Sequence, residues 1–324
     1  CHIPPTKVFS SAPAAERHRI AFVGDGRSSL GQNGIDDVVR PRLTVLGTVT
    51  VDGREVTRSQ AALLSALALR QGPASVPAGA AGSGPDDGHE AAPPGAPVGA
   101  DVLIDAVWPS GAPGSARSSL QNQVSRLRRS FGPEVVLSTR AGYRLGLGTD
   151  AALFEAQADK GCALPPTRAA VELLEAAGRL WGGHPYEALA DDMTAVAESA
   201  RLCALHQRVE QCLARARIAI GDHRRAAVEL AAMIESDPYA EVSWELLIRA
   251  LVADGRRAEA LQACSRLESV LEEDLGARPS GRIESLRRQL VSVPEDSCAG
   301  AVAHRNRHRC RDRHRNQRTP GEGS

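Results

Sequence analysis

The stretch Ser115–Leu147, SARSSLQNQVSRLRRSFGPEVVLSTRAGYRLGL, decides the fold. At about 100° per residue, Ala116, Leu120, Val124, Leu127 and Phe131 fall within one narrow arc, the period of an amphipathic helix with a buried stripe. The opposite face carries Ser118, Gln121, Asn122, Ser125, Arg126 and Arg129. These are amide, hydroxyl and guanidinium groups rather than the Glu/Lys pairs that usually solvate a helix, and such groups can read base edges and phosphates. Gly132-Pro133 stops the helix. Val135, Val136 and Leu137 then lead through Ser138 to Gly142 into Tyr143, Leu145 and Leu147, alternating as a β-hairpin does. A helix followed directly by a basic-tipped hairpin is the plan of a winged helix.

Arginine on a solvated helix face is also what any arginine-rich chain offers, and charge placement separates the two readings. Between Ser115 and Leu147 stand six arginines (117, 126, 128, 129, 140, 144) against the single acid Glu134, although the whole chain balances 39 basic against 39 acidic side chains. Positive charge is therefore concentrated where a phosphate-facing surface needs it.

At 324 residues the chain is long enough for two cored domains. Hydrophobic residues make up 42% but aromatics only 3%, so those cores are built from Leu, Ala and Val, which favours helices. Lys7 and Lys160 are the only lysines and neither sits in a Gly-x-x-x-x-Gly-Lys-Ser/Thr loop, which excludes a P-loop nucleotide site. The seven cysteines (1, 162, 203, 212, 264, 298, 310) are scattered without a Cys-x-x-Cys, so the expectation is a reducing cytoplasm with neither a disulfide framework nor a zinc site. No apolar run approaches the roughly 20 residues of a membrane helix, and nothing near the start has the regions of a signal peptide. The expected protein is soluble and cytoplasmic, associated with the nucleoid and not with a membrane.

Outward from the central stretch, residues 1–41 read as a flexible leader. Within it Ile20 to Gly31 looks briefly like a strand and a phosphate loop, but the spacing misses Gly-x-Gly-x-x-Gly and no helix pattern follows. In Arg42 to Val56, Leu43, Val45, Val49 and Val51 alternate with polar or small residues, and Asp52-Gly53 is a two-residue hairpin signal. Ser59 is placed to cap a helix to about Arg70 that buries Ala62, Leu63, Ala66, Leu67 and Leu69. From Gly72 to Val98 the pattern collapses into Gly, Pro and Ala, a composition read as a disordered insertion. Helical periodicity resumes at Asp101 to Trp108, and Pro109 to Gly114 turns the chain into the central helix.

After Thr149 the pattern is helical throughout, with helices expected over about 151–160, 167–181, 191–220, 224–236, 241–254, 258–274 and 280–291. Gly221-Asp-His-Arg-Arg-Ala226 and Gly255-Arg-Arg-Ala-Glu-Ala260 match at an offset of 34 residues, the period of tetratricopeptide repeats. Residues 150–295 carry 24 acids against 17 bases, a net charge of −7, whereas 42–148 without the insertion is net +5. Only the first domain suits nucleic acid. The tail, residues 293–324, reads as disordered and basic, with seven arginines against one acid between His304 and Arg318. Its histidines and Cys310 sit in positive charge that opposes a cation, so no metal is expected.

The combination Leu103-Ile-Asp-Ala-Val-Trp108, Ala116-Arg-Ser-Ser-Leu-Gln-Asn-Gln-Val-Ser-Arg-Leu-Arg-Arg129 and Gly142-Tyr-Arg-Leu145 resembles the DNA-binding domain of the Streptomyces antibiotic regulatory protein family. Leu180-Trp-Gly-Gly183, Pro185-Tyr-Glu-Ala-Leu189, the segment around Gly221 and Asp254-Gly-Arg-Arg-Ala-Glu-Ala260 look like that family's bacterial transcriptional activation domain. The resemblance implies a mostly α protein: an OmpR-type winged helix (α+β) over 42–148, interrupted by the 72–98 insertion, then an all-α tetratricopeptide-like domain over 150–292. It further implies a pathway-specific activator of secondary-metabolite genes that binds direct repeats in double-stranded promoter DNA, as a homodimer on DNA, and recruits RNA polymerase. In that role Gln121, Asn122 and Arg126 would stand near bases, with Ser125 on the same face. Arg117, Ser118, Arg128 and Arg129 would stand toward phosphates, and Arg140 and Arg144 in the wing would reach the neighbouring groove or backbone.

Two other functions compete. Helical repeats alone bind partners, which gives an interaction scaffold without specific DNA binding. An enzyme would need a catalytic set; Asp191-Asp192 and the cysteines supply acids and nucleophiles, but no His, Cys and acid share a recognisable spacing, so neither a catalytic residue nor a cofactor is expected. Trp181 and Tyr186 read as packing residues of the repeat rather than as a ligand box.

Overall fold

The computed structural model describes residues 42–71 and 95–292. The expected leader, most of the expected insertion (72–94) and the expected basic tail lie outside the described residues. The chain divides into two compact units: one runs to Phe154 and takes in Leu180–Cys203, the other comprises Glu155–Arg179 and the described residues from Ala204 onward. The sequence pattern sets a single boundary at Thr149; in space the Leu180–Cys203 segment goes back to the first unit.

The first unit opens with three short antiparallel strands, β1 (Leu43–Thr44), β2 (Thr50–Val51) and β3 (Arg54–Glu55), in register Leu43↔Val51 and Val51↔Arg54. Asp52 and Gly53 both have positive φ, 50° and 74°, the tight turn that the Asp-Gly pair encodes. Helix α1 (Arg58–Gln71) begins earlier than a Ser59 cap requires. The N–H of Thr57 donates to Gln60 Oε1 at 3.1 Å, one half of a capping box. Leu63, Leu64, Ser65, Ala66 and Leu67 are all buried, so α1 is a central helix surrounded on several sides, whereas Leu69 is half-buried. Around it pack α2 (Ala100–Val107), α3 (Ala116–Phe131) and the hairpin β4 (Val136–Thr139) and β5 (Gly142–Leu145).

Three contacts explain why Leu180–Cys203 belongs here. Leu46 pairs with Pro185 as an antiparallel bridge, the Gly182 N–H donates to the Leu46 carbonyl at 2.8 Å, and the Tyr186 N–H donates to that of Val45 at 2.9 Å. Gly47 allows the approach: with φ at 127°, a Cβ there would lie 2.7 Å from the Gly182 carbonyl carbon. Trp181 stacks tilted on Phe154 at 5.4 Å, and Tyr186 is buried. Both are packing residues, of this unit rather than of the repeat. Asp192, one of the two acids weighed as catalytic, caps α6 (Met193–Ile220) by accepting the N–H of Thr194 at 2.8 Å and pairs with Arg70 at 2.5 Å.

The second unit is all helical. It contains the end of α4 (Asp150–Ala163), α5 (Arg168–Arg179), the greater part of α6, then α7 (His223–Ser236), α8 (Glu241–Ala253), α9 (Arg257–Leu275) and α10 (Gly281–Ser292). The 34-residue repeat is visible bond for bond. Asp222 N–H donates to the Arg217 carbonyl at 2.9 Å and Arg256 N–H to that of Leu251 at 2.8 Å, while Ala226 and Ala260 are both fully buried at the start of the following helix. Each pair of helices hides only one face, so α7, α8, α9 and α10 stack to bury Leu230, Ile234, Trp244, Ile248, Cys264, Leu267 and Ile283 in one core. Arg217, also buried, is matched by Glu175 of α5 at 2.6 Å and by Glu229 of α7. One expectation is corrected: Cys162 of α4 and Cys212 of α6 form a disulfide with a Cα–Cα distance of 5.7 Å. Fifty residues separate them, and no spacing rule marks such a pair.

Candidate nucleic-acid interface

Helix α3 buries Ala116, Leu120, Val124 and Leu127 and leaves Phe131 half-buried, so the arc read from the sequence is its inner face. Its C-terminus is held by two arginines that carry no signal in the sequence pattern. Arg54 donates to the Ser130 carbonyl at 3.3 Å and its guanidinium lies 4.8 Å above the Phe131 ring. Arg42 reaches the Phe131 carbonyl at 3.5 Å and is itself held by Asp52 at 2.8 Å and Glu134 at 3.0 Å. Cations at a helix C-terminus satisfy free carbonyls and oppose the helix dipole, which fixes this end of α3 on the N-terminal sheet. The hydrogen bonds from Arg42 in turn hold the Asp52 carboxyl below its usual range.

On the outer face Gln121, Asn122, Ser125, Arg126 and Arg129 are all exposed. Among the described residues Arg126 and Arg129 form no ion pair. Ser118 is exposed as well, although its hydroxyl donates to the Ser115 carbonyl at 2.8 Å and so closes the first turn of the helix. Arg117 pairs with Asp101 of α2 at 2.9 Å, both side chains being largely in water at 73% and 78% exposure, so the pair is loose enough to exchange.

Arg128 is placed differently from its expected phosphate-facing role. It is half-buried, and its guanidinium donates from Nε to the Val136 carbonyl and from Nη2 to Ser138 Oγ, each at 2.8 Å. One position past the buried Leu127, it stands on the flank of the stripe, and β4 occupies that flank.

The hairpin turns through Arg140-Ala141, with Thr139 opposite Gly142 and the Ala141 N–H donating to Thr139 Oγ1 at 3.3 Å. Arg140 is exposed at the tip; Arg144 is half-buried on β5, opposite Leu137. A further correction falls here. Val98, expected inside the disordered insertion, is buried and exchanges backbone hydrogen bonds with Tyr143 at 2.8 and 2.9 Å. The backbone of this residue, which ends the Gly/Pro-rich run, supplies a third strand position beside β5.

Among the described residues no three His, Cys, Asp or Glu side chains cluster as metal ligands, and no helix is long and apolar enough to cross a membrane.

Residues 149–291 match the family described as bacterial transcriptional activator domain. The chain is 30% identical over 273 residues to the regulatory protein AfsR of Streptomyces griseus, covering 79% of this chain and 25% of that protein. It is 30% identical over 200 residues to the transcriptional regulatory protein EmbR of Mycobacterium tuberculosis, covering 58% of this chain and 52% of that one. With the regulatory protein DnrI of Streptomyces peucetius the identity is 27%, over 62% of this chain and 83% of that one. The chain thus spans a quarter of AfsR and about half of EmbR. Among solved structures, Mycobacterium tuberculosis EmbR in complex with a low-affinity phosphopeptide superposes with a TM-score of 0.61 at 27% identity, over 82% of this chain and 72% of that one.

Proposed function

We propose, for a chain that belongs to the Streptomyces antibiotic regulatory protein family of transcriptional regulators, that it binds double-stranded promoter DNA sequence-specifically through α3 and the β4–β5 wing. The observation that carries this reading is the division of α3. Ala116, Leu120, Val124 and Leu127 on its apolar side are buried, while Gln121, Asn122, Ser125, Arg126 and Arg129 stand together in solvent beside a hairpin tipped by Arg140. Two amides and two guanidiniums on one exposed face supply the donors and acceptors that read base edges and phosphates.

In the bound state α3 lies in the major groove. Gln121 and Asn122 offer the donor–acceptor pair that matches adenine, and Arg126 the fork that matches guanine. Arg129 and Arg117 neutralise phosphates, and Arg140 meets the backbone beyond the groove. The finer role is that of a pathway-specific activator of secondary-metabolite genes: two copies bind direct repeats and bring RNA polymerase to the promoter, with the helical unit supplying the protein contacts.

The test is the affinity of the full chain for a direct-repeat promoter fragment and for scrambled DNA over a range of salt. Preference for the repeat by a thousandfold or more, of the order usual for specific sites, with a steep salt slope, is the expected result. Equal affinity for both DNAs would leave the helical unit as a scaffold for proteins and remove the sequence-reading role.

A further inference from the structure

The wing is held from two sides. Strand β5 is bonded to Val98 through Tyr143, and strand β4 is bonded to α3 through Arg128. The two acceptors of Arg128, the Val136 carbonyl and the Ser138 hydroxyl, lie two residues apart on β4. A planar guanidinium whose Nε and Nη2 are both engaged fixes direction as well as distance, which a single point charge does not. Only the Thr139↔Gly142 pair separates this anchored stretch of β4 from the Arg140-Ala141 turn.

We propose that Arg128 is a positioning residue rather than a DNA contact: it is the strut that sets the angle between α3 and the wing, so that the Gln121–Asn122–Arg126 face and Arg140 engage one duplex together. The proposal rests on the reading of α3 and the wing as a DNA interface. For Arg128 to turn toward a phosphate it would have to release both bonds and leave the Val136 carbonyl without this donor. Arg129, the next residue, is exposed and carries no such cost.

The experiment measures affinity and salt slope of the full chain on the direct-repeat fragment for wild type, Arg128→Lys, Arg128→Gln, Ser138→Ala, Arg140→Ala and the pair Arg128→Gln/Arg140→Ala. A strut predicts that Arg128→Lys, which keeps the charge but loses the fork, weakens binding about as much as Arg128→Gln, by roughly tenfold, the factor that corresponds to one charged hydrogen bond. It also predicts that Arg128→Gln costs little once Arg140 is gone, because the contact it positions is already absent. Ser138→Ala, which changes no charge, should reproduce part of the loss. A phosphate contact gives the reverse: Lys restores binding, the two losses multiply, and Arg128→Gln and Arg140→Ala each lower the salt slope by about 0.9, the pair by about twice that. That result, or wild-type affinity in Ser138→Ala, overturns the strut while leaving the DNA reading in place. Thermal melts separate simple unfolding, since a strut variant keeps the wild-type transition yet loses DNA affinity. Failure of the wild type to prefer the repeat overturns the DNA reading itself, and the strut with it.

Discussion

The carboxylate of Asp150 receives the backbone N–H of Val45 at 2.7 Å, across 105 residues of chain. Its other oxygen receives the N–H of Leu46 at 3.1 Å, and the Ala151 N–H donates at 2.8 Å, so one buried side chain both starts α4 and closes the end of β1. Burial pushes the carboxyl up to about 6 in spite of these amide donors. A folded value above the unfolded one means that the folded chain holds the proton more tightly. The group's contribution is therefore full below about pH 4 and is lost as pH rises through about 6. Asp150→Asn turns an amide N–H₂ toward one of these donors, and the expected cost is about 1 to 3 kcal/mol at neutral pH. Chemical denaturation should show a wider gap between wild type and variant at pH 4.5 than at pH 7.5; a gap that widens upward in pH would contradict the assignment.

Asp101 places a carboxylate beside Arg117 on the face assigned to phosphates. The pair is so exposed that it adds under about 1 kcal/mol to stability, but against DNA the carboxylate is repelled and competes for the guanidinium. Asp101→Asn is expected to tighten DNA binding by about two- to fivefold at low salt, with the gain shrinking at high salt and the melting temperature nearly unchanged. Weaker binding in a titration at low ionic strength would remove Arg117 from the interface.

Asn122 and Arg129 stand on the same exposed face, yet their side chains fit different tasks. Asn122→Ala should lower the preference for the promoter repeat by ~1 to 3 kcal/mol while sparing affinity for scrambled DNA; Arg129→Ala should weaken both DNAs alike and flatten the salt slope by about 0.9. Competition binding with the two fragments distinguishes them, and uniform loss from Asn122→Ala would reassign it to the backbone.

The Cys162–Cys212 disulfide closes a loop of fifty residues through α5 and most of α6. Constraining an unfolded loop of that size is worth ~2 to 4 kcal/mol, so reduction or Cys162→Ser should lower the melting transition of the helical unit. Alkylation under denaturing, non-reducing conditions should label Cys203 and Cys264 and spare Cys162 and Cys212. Labelling of all four would show that the bond is absent in solution.

The parts of the fold that depend on local periodicity were legible from the residues alone. The Ala116 to Phe131 arc, the Asp52-Gly53 turn and the paired Gly221 and Gly255 turns each carry their signal within a few positions, because a helix stripe and a tight turn are local events. The parts set by distant segments were not. A helical wheel leaves Arg128 on the flank of the stripe, and only the arrival of β4 decides that its donors are used internally. Nothing near Arg42 or Arg54 announces that they hold the end of a helix 89 and 76 residues away. Val98 closes a run of small residues that resembles a linker, and its role depends on Tyr143. Cys162 and Cys212 meet because of where α4 and α6 run.

The return of Leu180–Cys203 to the first unit means that the two units are interleaved along the chain, first, second, first, second. During synthesis the segment that pairs with Leu46 emerges only after Glu155–Arg179, part of the helical unit, has already left the ribosome. The first unit therefore cannot complete its fold until a piece of the second has emerged, unlike domains that follow one another along the chain. For the same reason no single crossover between genes separates the two units cleanly: any cut leaves a piece of one joined to the other.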